Sequence, residues 1–223
     1  SGVCGAAVLP GRDDDSVRET NRLVAVQERK VHGYRLDLAE GDAPRRLVEG
    51  VLADFGRLDV LVNNAGIAPT TPMSAITVEE WDHVLNVNLR GSFFCAQVAL
   101  AHMRERRSGR IVFMSSQAGQ AGGVFVGAHY VASKAALIGL AKSFAKAGAA
   151  DGVLVNCVCP GQVDTPLTHQ FPPDKVAAMT TAIPLKRMAT AAEVAEVVAF
   201  LVSEASSYVT GATIPVNGGM LMP

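Results

Sequence analysis

The sequence predicts a doubly wound α/β domain, in which a parallel sheet lies between two layers of helices. Short apolar segments alternate regularly with longer segments of helical character. The apolar segments are continuous runs, which is typical of parallel strands covered by helices on both faces. Small or polar residues follow several of these segments directly, and in such folds ligands bind outside the carboxyl ends of the strands.

The elements follow one another along the chain in a regular order. The predicted strands are Ala6–Leu9, Tyr34–Leu38, Val60–Val62, Arg110–Met114, Val153–Val158 and Ala212–Val216. The predicted helices are Ser16–Arg29, Ala43–Phe55, a long helix from Thr77 to Arg106, Tyr130–Ala147, and a last helix from Thr190 to Val202.

Turn and capping residues support these boundaries. The first strand ends at Pro10-Gly11, and the strand Val153–Val158 ends before Pro160-Gly161. A Ser or Thr followed three residues later by Glu is typical of a capping box at a helix N-terminus. Thr77 with Glu80 and Thr190 with Glu193 have this spacing and predict the starts of two helices.

Composition indicates one globular domain over residues 1–223, because 223 residues are enough for one sizeable core and too few for two ordinary domains. The chain is 49% hydrophobic and only 5% aromatic, so the core must consist mainly of Ala, Val, Leu and Ile. A formal net charge of −1 gives neither the basic footprint of a nucleic-acid-binding protein nor a polybasic membrane anchor.

The chain has no apolar run of the roughly 18 residues that a membrane span needs. It also has no signal peptide at its start, and we therefore expect a cytoplasmic protein. The four cysteines, Cys4, Cys95, Cys157 and Cys159, have no metal-ligand spacing and are expected to be free thiols in the core. Cys157 and Cys159 should share one buried face of their strand.

Tyr130 and Lys134 lie four residues apart, which places both side chains on one face of a helix. A phenol has a pKa of about 10, and an adjacent ammonium favours the phenolate and lowers that pKa towards neutrality. The pair therefore predicts a proton donor and acceptor for alcohol and carbonyl chemistry. The alternative is a solvated helix face with no function.

Three predicted strands are followed by residues that a plain turn does not require. Asn63-Asn64-Ala65-Gly66 follows the third strand, and Ser115 and Ser116 follow the fourth. Pro160-Gly161 and Thr165 follow the fifth. Each could be an ordinary polar loop, but their common place at strand ends, together with the Tyr–Lys pair, indicates a ligand site.

With these segments in view, the chain resembles the short-chain dehydrogenase/reductase family over nearly its whole length. The matching segments are Asn63–Gly66 (NNAG), Asn86–Gly91 (NVNLRG), Ile111–Ser116 (IVFMSS), Tyr130–Lys134 (YVASK), Asn156–Thr165 (NCVCPGQVDT), Ile183–Met188 (IPLKRM) and Tyr208–Gly219 (YVTGATIPVNGG). Each segment alone is moderately specific, whereas the whole set in this order is highly specific. The resemblance implies a Rossmann-like fold and a nicotinamide-dependent oxidoreductase that interconverts a secondary alcohol and a ketone.

The resemblance also implies four catalytic residues. Tyr130 matches the family's proton donor or acceptor, and Lys134 matches the residue that lowers the tyrosine pKa and holds the nicotinamide ribose. Ser116 matches the hydroxyl that orients the substrate oxygen, and Asn88 matches the asparagine that kinks its helix and holds a proton-relay water.

The same resemblance assigns the cofactor contacts. Besides Tyr130 and Lys134, the expected cofactor-binding residues are Asp37 and Leu38 at the adenine, Asn64, Ala65 and Gly66 along the ribose and diphosphate, and Pro160, Gly161, Val163 and Thr165 at the carboxamide. Arg12 follows the first strand, where it could pair with a ribose phosphate and so favours NADP over NAD. The adjacent Asp13, Asp14 and Asp15 disfavour an added phosphate.

The chain departs from the family in two places. The TGxxxGxG turn of the family, with its strand and helix, is absent, so the first βα unit is expected to be missing and the domain incomplete at its N-terminus. A trimmed chain is the favoured explanation, and a naturally shortened member with weakened cofactor binding is the alternative. Ser116 precedes Tyr130 by 14 residues, one more than is common in the family. If the glycine-rich loop between them does not absorb that residue, Ser115 replaces Ser116.

The substrate is less determined. Leu167–Leu185 resembles the family's substrate lid, with Phe171, Met179 and Ile183 as apolar contacts, and the second half resembles bacterial 3-oxoacyl-thioester reductases. His129 and His169 could contact a ligand, but ordinary solvated histidines are the expected interpretation.

The resemblance further implies a homo-oligomer, a dimer or a tetramer, formed by the helices Thr77–Arg106 and Tyr130–Ala147. The competing hypothesis is a non-catalytic member of the family, or an assembly subunit, that does not bind dinucleotide.

Overall fold

The structure, a computed structural model, describes residues 5–10, 31–123 and 125–222. The predicted helix Ser16–Arg29 and the residues Cys4 and Arg12 lie outside the described residues. The elements below are numbered in chain order within that part of the chain.

The strands form three groups in which every pair is parallel. They are β1 (Gly5–Pro10), β2 (Val31–Leu36), β3 (Val60–Asn63), β4 (Gly109–Met114), β5 (Val153–Pro160), β6 (Val163–Asp164), β7 (Ala189–Thr190) and β8 (Thr213–Val216). The main sheet has the order β3-β4-β5-β8, and β1-β2 and β6-β7 are separate pairs. The six predicted strands are therefore found, with ends that differ by a few residues.

The helices are α1 (Ala43–Phe55), α2 (Val78–Leu85), α3 (Ser92–Glu105), α4 (Ala118–Ala121), α5 (Ala128–Gly148), α6 (Pro173–Ala182) and α7 (Ala191–Val202). A π-helical turn, Asn86–Gly91, joins α2 to α3. The single long helix predicted from Thr77 to Arg106 is thus two α-helices with a wider turn between them. Such turns occur frequently at functional sites.

Only one of the two predicted capping boxes is complete. At α7, Thr190 Oγ1 accepts from Glu193 N at 3.2 Å, and a Glu193 carboxylate oxygen accepts from Thr190 N at 2.8 Å. At α2, Thr77 Oγ1 accepts from Glu80 N at 3.2 Å, but the Glu80 carboxylate bonds to Thr71 instead of turning back to Thr77. The prediction for α2 was therefore half wrong, because a residue outside the helix competes for Glu80.

The core lies on both faces of the main sheet, as expected for a doubly wound domain. Ile111 and Phe113 of β4 pack on the face covered by α1, α3 and α5. Val112 and Met114 point to the opposite face, where α7 covers them. This alternation along one strand confirms the three-layer α/β fold.

The sheet is divided at one place. Within the described ranges, β1 and β2 pair only with each other, and β3 has a neighbour, β4, on one side only. Val60 and Val62 of β3 are 37% and 39% exposed, which is unusual for apolar residues of a parallel strand.

Cys95, Cys157 and Cys159 are buried free thiols, as predicted. In the part of the chain that the structure describes, no helix has the length and apolar character needed to cross a membrane.

Candidate active site

The carboxyl ends of β3, β4 and β5 open into a cavity of about 490 Å³. Most of the residues singled out from the sequence contribute to it. Its lining includes Asn64, Gly66, Ser115, Ser116, Tyr130, Lys134, Pro160, Gly161, Val163 and Thr165. Parallel strands that end at one edge bring these residues, which are distant in sequence, to one place.

Tyr130 and Lys134 lie on the first two turns of α5, and both face the cavity. The Lys134 Nζ is 5.7 Å from the centre of the Tyr130 ring and donates a hydrogen bond of 2.8 Å to Met114 O. Lys134 is only 5% exposed, so the alternative of a solvated helix face is wrong. A buried ammonium beside a phenol is a feature of functional sites.

Burial moves the two titratable groups in opposite directions. It lowers the pKa of Lys134 to about 8 and raises the pKa of Tyr130, because burial disfavours the charged form of each group. Only the Ser116 hydroxyl, next to the phenol, lowers the pKa of Tyr130. The expected lowering by Lys134 is therefore not found in this geometry, since the ammonium is directed to the Met114 carbonyl. Near neutral pH the phenol holds its proton and Lys134 is charged.

The two consecutive serines have different surroundings. Ser115 is buried, and its Oγ donates to Lys134 O at 2.6 Å. Ser116 Oγ accepts from Ala118 N at 3.1 Å and lies beside Tyr130. In the loop before α5, Gly122 has a φ of 83°, which favours glycine. The geometry favours Ser116 over Ser115 as the hydroxyl that faces a substrate.

Asn88 lies in the π-helical turn and is fully buried. Its Oδ1 accepts from Ile67 N at 2.8 Å, and its Nδ2 donates to Ile67 O at 2.9 Å and to Ser133 Oγ at 3.0 Å. The side chain therefore fastens the loop after β3 to α5 and does not line the cavity. The asparagine at which the resemblance implies a kink thus lies in the π-helical turn.

Two glycines bring backbone close to the cavity. A Cβ on Gly66 would lie 3.2 Å from Asn88 Oδ1 and 3.3 Å from Lys134 Nζ, and one on Gly161 would lie 2.9 Å from Asn217 Cα. Gln117 Oε1 is buried without a hydrogen-bond partner among the described residues. Open backbone, amide and hydroxyl groups and one ammonium fit the ribose and carboxamide of a nicotinamide cofactor.

Four expected site residues lie outside this cavity. Asp37 and Leu38 follow β2, where Asp37 Oδ1 accepts from Ala39 N at 2.8 Å and Leu38 is buried near Gly91. Ala65 packs against the core, and Asn88 acts through Ile67. Arg12 is outside the described residues.

The remaining expectations had mixed outcomes. Phe171 and Met179 line the cavity, but Ile183 is buried against Gly218 instead. His169 is exposed and contacts Asp164, whereas His129 is fully buried, so the expectation of a solvated His129 was wrong. Its place between Gly127 and Tyr130 at a helix N-terminus is the one signal in the sequence that could have indicated this.

A second cavity of about 670 Å³ adjoins the first. The two share Phe125, Val126, Leu167 and Phe171 as apolar walls. The outer cavity extends to Thr71 and Lys175. Together they offer room for a substrate considerably larger than a simple ketone.

Comparison with known proteins places the chain among reductases. A family model described as enoyl-(acyl carrier protein) reductase matches residues 5–221. The 3-oxoacyl-(acyl-carrier-protein) reductase FabG of Thermotoga maritima is 40% identical over 221 residues, which are 98% of this chain and 89% of that protein. The acetoacetyl-CoA reductase of an Acinetobacter species is 38% identical over 97% of this chain and 87% of that protein. The FabG of Staphylococcus aureus strain Mu50 is 41% identical over 88% and 82% respectively.

Proposed function

The chain belongs to the short-chain dehydrogenase/reductase family, and we propose that this nicotinamide-dependent oxidoreductase reduces 3-oxoacyl thioesters to 3-hydroxyacyl thioesters. The observation that carries the proposal is the meeting of Ser116, Tyr130 and Lys134 at one cavity, at the carboxyl ends of the strands. The competing hypothesis of a non-catalytic subunit is not favoured, because such a protein needs neither a buried ammonium nor a phenol in an open cavity.

The protonation states support reduction of a ketone. Tyr130 keeps its proton near neutral pH, since burial raises its pKa, and it can donate that proton to the oxygen of a carbonyl. Ser116, beside the phenol, donates a hydrogen bond to the same oxygen while negative charge develops on it. The nicotinamide cofactor supplies the hydride when bound.

Lys134 acts on the proton donor. Once Tyr130 has given up its proton, the ammonium 5.7 Å from the ring centre stabilises the phenolate. The Met114 carbonyl and Ser115 hold the lysine in place, the first through Nζ and the second through the Lys134 backbone. In the opposite direction, the Tyr130 phenolate accepts the proton of a secondary alcohol, and the Lys134 ammonium stabilises that phenolate beforehand.

The shape of the site supports a thioester substrate. Phe125, Val126, Leu167 and Phe171 give apolar walls for an acyl chain. The outer cavity continues away from Tyr130 and ends near Lys175, whose exposed ammonium can meet a phosphate of a carrier group. The printed names of the relatives, a 3-oxoacyl-(acyl-carrier-protein) reductase and an acetoacetyl-CoA reductase, agree with this substrate class.

We further propose NADP as the preferred cofactor, because Arg12 is the second residue after the end of β1. We propose Ser116, Tyr130 and Lys134 as the catalytic residues that face the cavity, and Asn88 as the residue of the predicted catalytic set that acts from outside it, through Ile67. The single domain over residues 1–223 is proposed to work as a homo-oligomer in a reducing compartment, the cytoplasm. An apolar groove formed by Leu85 of α2, Leu89 of the π-helical turn, Phe93 of α3 and Leu140 of α5 supports the homo-oligomer. The free thiols support the reducing compartment.

The test is a reduction assay on the full-length protein with acetoacetyl-CoA, crotonyl-CoA as the enoyl control, and NADPH or NADH. We expect nicotinamide oxidation with acetoacetyl-CoA only, and a higher kcat/KM with NADPH. Tyr130→Phe should lower kcat about 10²–10⁴-fold, the usual contribution of a general acid. An unchanged rate in Tyr130→Phe, or reduction of the enoyl thioester alone, would refute the proposal.

A further inference from the structure

His129, the residue before Tyr130, is fully buried and has a defined tautomer. Its Nδ1 accepts a hydrogen bond of 3.0 Å from Tyr130 N, so this nitrogen carries no proton. In the neutral ring the proton is therefore on Nε2. An imidazole with one nitrogen committed to a backbone amide is held in one orientation.

The other ring nitrogen faces a carboxylate. His129 Nε2 is 3.4 Å from Glu80 Oε1, and it has no hydrogen-bond partner among the described residues. The same Glu80 oxygen accepts a hydrogen bond of 2.6 Å from Thr71 Oγ1. The Thr71 hydroxyl and His129 lower the pKa of Glu80, so the carboxylate is charged at neutral pH.

The His129 ring lies where a side chain of Gly127 would be. A Cβ on Gly127 would collide with Cε1 and Nδ1 of His129. Gly127 is the N-cap residue of α5 and has no side chain to satisfy the free amides of the first turn. His129 takes over this role for the amide of Tyr130.

The contacts of His129 and Glu80 connect three parts of the fold. Thr71 belongs to the loop after β3, Glu80 to α2, and His129 to α5. A second contact, Gly127 N to Pro69 O at 2.8 Å, ties the same loop to the start of α5. Thr71 and Gly127 also line the outer cavity. A substitution at Glu80 therefore alters contacts to a residue of the outer cavity, Thr71, and to the first turn of α5, which carries Tyr130.

We propose that His129 and Glu80 are positioning residues that fix the first turn of α5 and hence the direction of the Tyr130 phenol. This inference rests on the proposed role of Tyr130 as the proton donor. The pair does not touch the substrate. It acts by holding the Tyr130 backbone amide from one side and the Thr71 loop from the other.

The kinetic test compares variants that keep one contact and lose the other. His129→Ala loses the contacts with the Tyr130 amide and with Glu80. We expect kcat to fall about tenfold, because a small misplacement of a catalytic group costs up to about 10²-fold. The KM for the cofactor should be unchanged. His129→Asn keeps an acceptor near the Nδ1 position and should recover most of kcat. His129→Gln keeps only a donor near the Nε2 position and should not.

Glu80 provides the second pair of variants. Glu80→Gln keeps an oxygen that can accept from Thr71 and lie beside His129 Nε2, and it should recover most of the kcat that Glu80→Ala loses. His83→Ala and Asp82→Ala are the matched controls, because both side chains are exposed on the same helix. They should behave as the unchanged enzyme.

NMR spectroscopy tests the hydrogen bond between the Tyr130 amide and His129 Nδ1 independently of activity. The ¹⁵N NMR signals of the His129 ring should show a proton on Nε2, and amide exchange at Tyr130 should be faster in His129→Ala but not in His129→Asn. A proton on Nδ1, or unchanged exchange in His129→Ala, would overturn the inference. So would full kcat in His129→Ala when Tyr130→Phe is inactive. Full activity in Tyr130→Phe would instead refute the proposed function, while the NMR measurement would still test the contact.

Discussion

At the scale of single residues, burial has a larger effect on the pKa values of Tyr130 and Lys134 than their proximity to each other has. Burial keeps the Tyr130 phenol protonated and brings the pKa of Lys134 down to about 8. The result is a proton donor and a cation whose charge is lost just above neutral pH.

We therefore expect the rate of ketone reduction to fall as the pH rises through about 8, because Lys134 loses its proton there. Unfolding does not explain such a loss. The unfolded lysine keeps its proton to about pH 10.5, so between pH 8 and 10.5 this group makes stability rise with pH. A pH–rate profile at saturating substrate measures the effect.

The control for this profile is Lys134→Met, which should have a low rate with no alkaline decrease near pH 8. Persistence of that decrease in the variant would assign it to another group. Circular dichroism over the same pH range verifies that the fold is intact.

The consecutive serines give a matched pair of substitutions. Ser116→Ala should lower kcat about 10²-fold with little change in stability, because it removes a donor to the developing oxyanion. Ser115→Ala should lower the free energy of unfolding by about 1 kcal/mol, since a buried hydrogen bond to Lys134 O is lost. Its effect on kcat should be smaller. Steady-state kinetics measures the effect on kcat, and urea unfolding measures the effect on stability. If Ser115→Ala lowers kcat more than Ser116→Ala does, Ser115 is the serine that faces the substrate.

At the scale of elements, the site is assembled by loops that are fastened to helices. Asn88 holds both backbone groups of Ile67, and it can do so because the π-helical turn projects it towards the loop after β3. Glu80 holds Thr71 four residues further along the same loop.

Asn156 is a natural control for Asn88. Its side chain also joins two backbone groups, Val209 O and Ala212 N, and it is equally buried. Asn88→Ala and Asn156→Ala should each lower the free energy of unfolding by roughly 2–4 kcal/mol, because buried polar groups lose their partners. Only Asn88→Ala should also lower kcat, since only it releases the loop at Gly66 and Ile67. Equal kcat in both variants would contradict this role.

At the scale of the whole molecule, two cores enclose the main sheet and leave one helical face uncovered. The groove between the π-helical turn with the start of α3 and the helix α5 is lined mainly by apolar side chains, among them Leu89, Phe93 and Leu140. Exposed apolar surface of this kind is typical of an interface between subunits.

Gly139, on that groove, is suited to a test of the oligomer. A Cβ at Gly139 would meet nothing within 4 Å, so a larger side chain fits the single chain. We expect Gly139→Glu to lower the mass measured by light scattering, because two copies of the charge would be buried together. Lys146→Glu, an exposed change on the same helix, should leave the mass unchanged. An unchanged mass in Gly139→Glu would exclude this groove as the interface.

The sequence was most informative where a pattern is local. Continuous apolar runs identified the strands of the main sheet, and the four-residue spacing of Tyr130 and Lys134 placed both at one cavity. The serine spacing left two candidates open, and only the path of the loop before α5 separated Ser116 from Ser115.

Fold class, the number and order of the strands that it predicted and the Tyr–Lys pair were determined by the sequence alone, because periodicity and short spacings depend on neighbouring residues. The tertiary structure decided the division of the sheet, the π-helical turn, the direction of the Tyr130 pKa and the burial of His129. Each of these depends on groups brought together from distant parts of the chain. Glu80 is the clearest case. Its amide donates to Thr77 as the local pattern predicts, but its carboxylate accepts from Thr71 of the loop after β3 and not from the Thr77 amide.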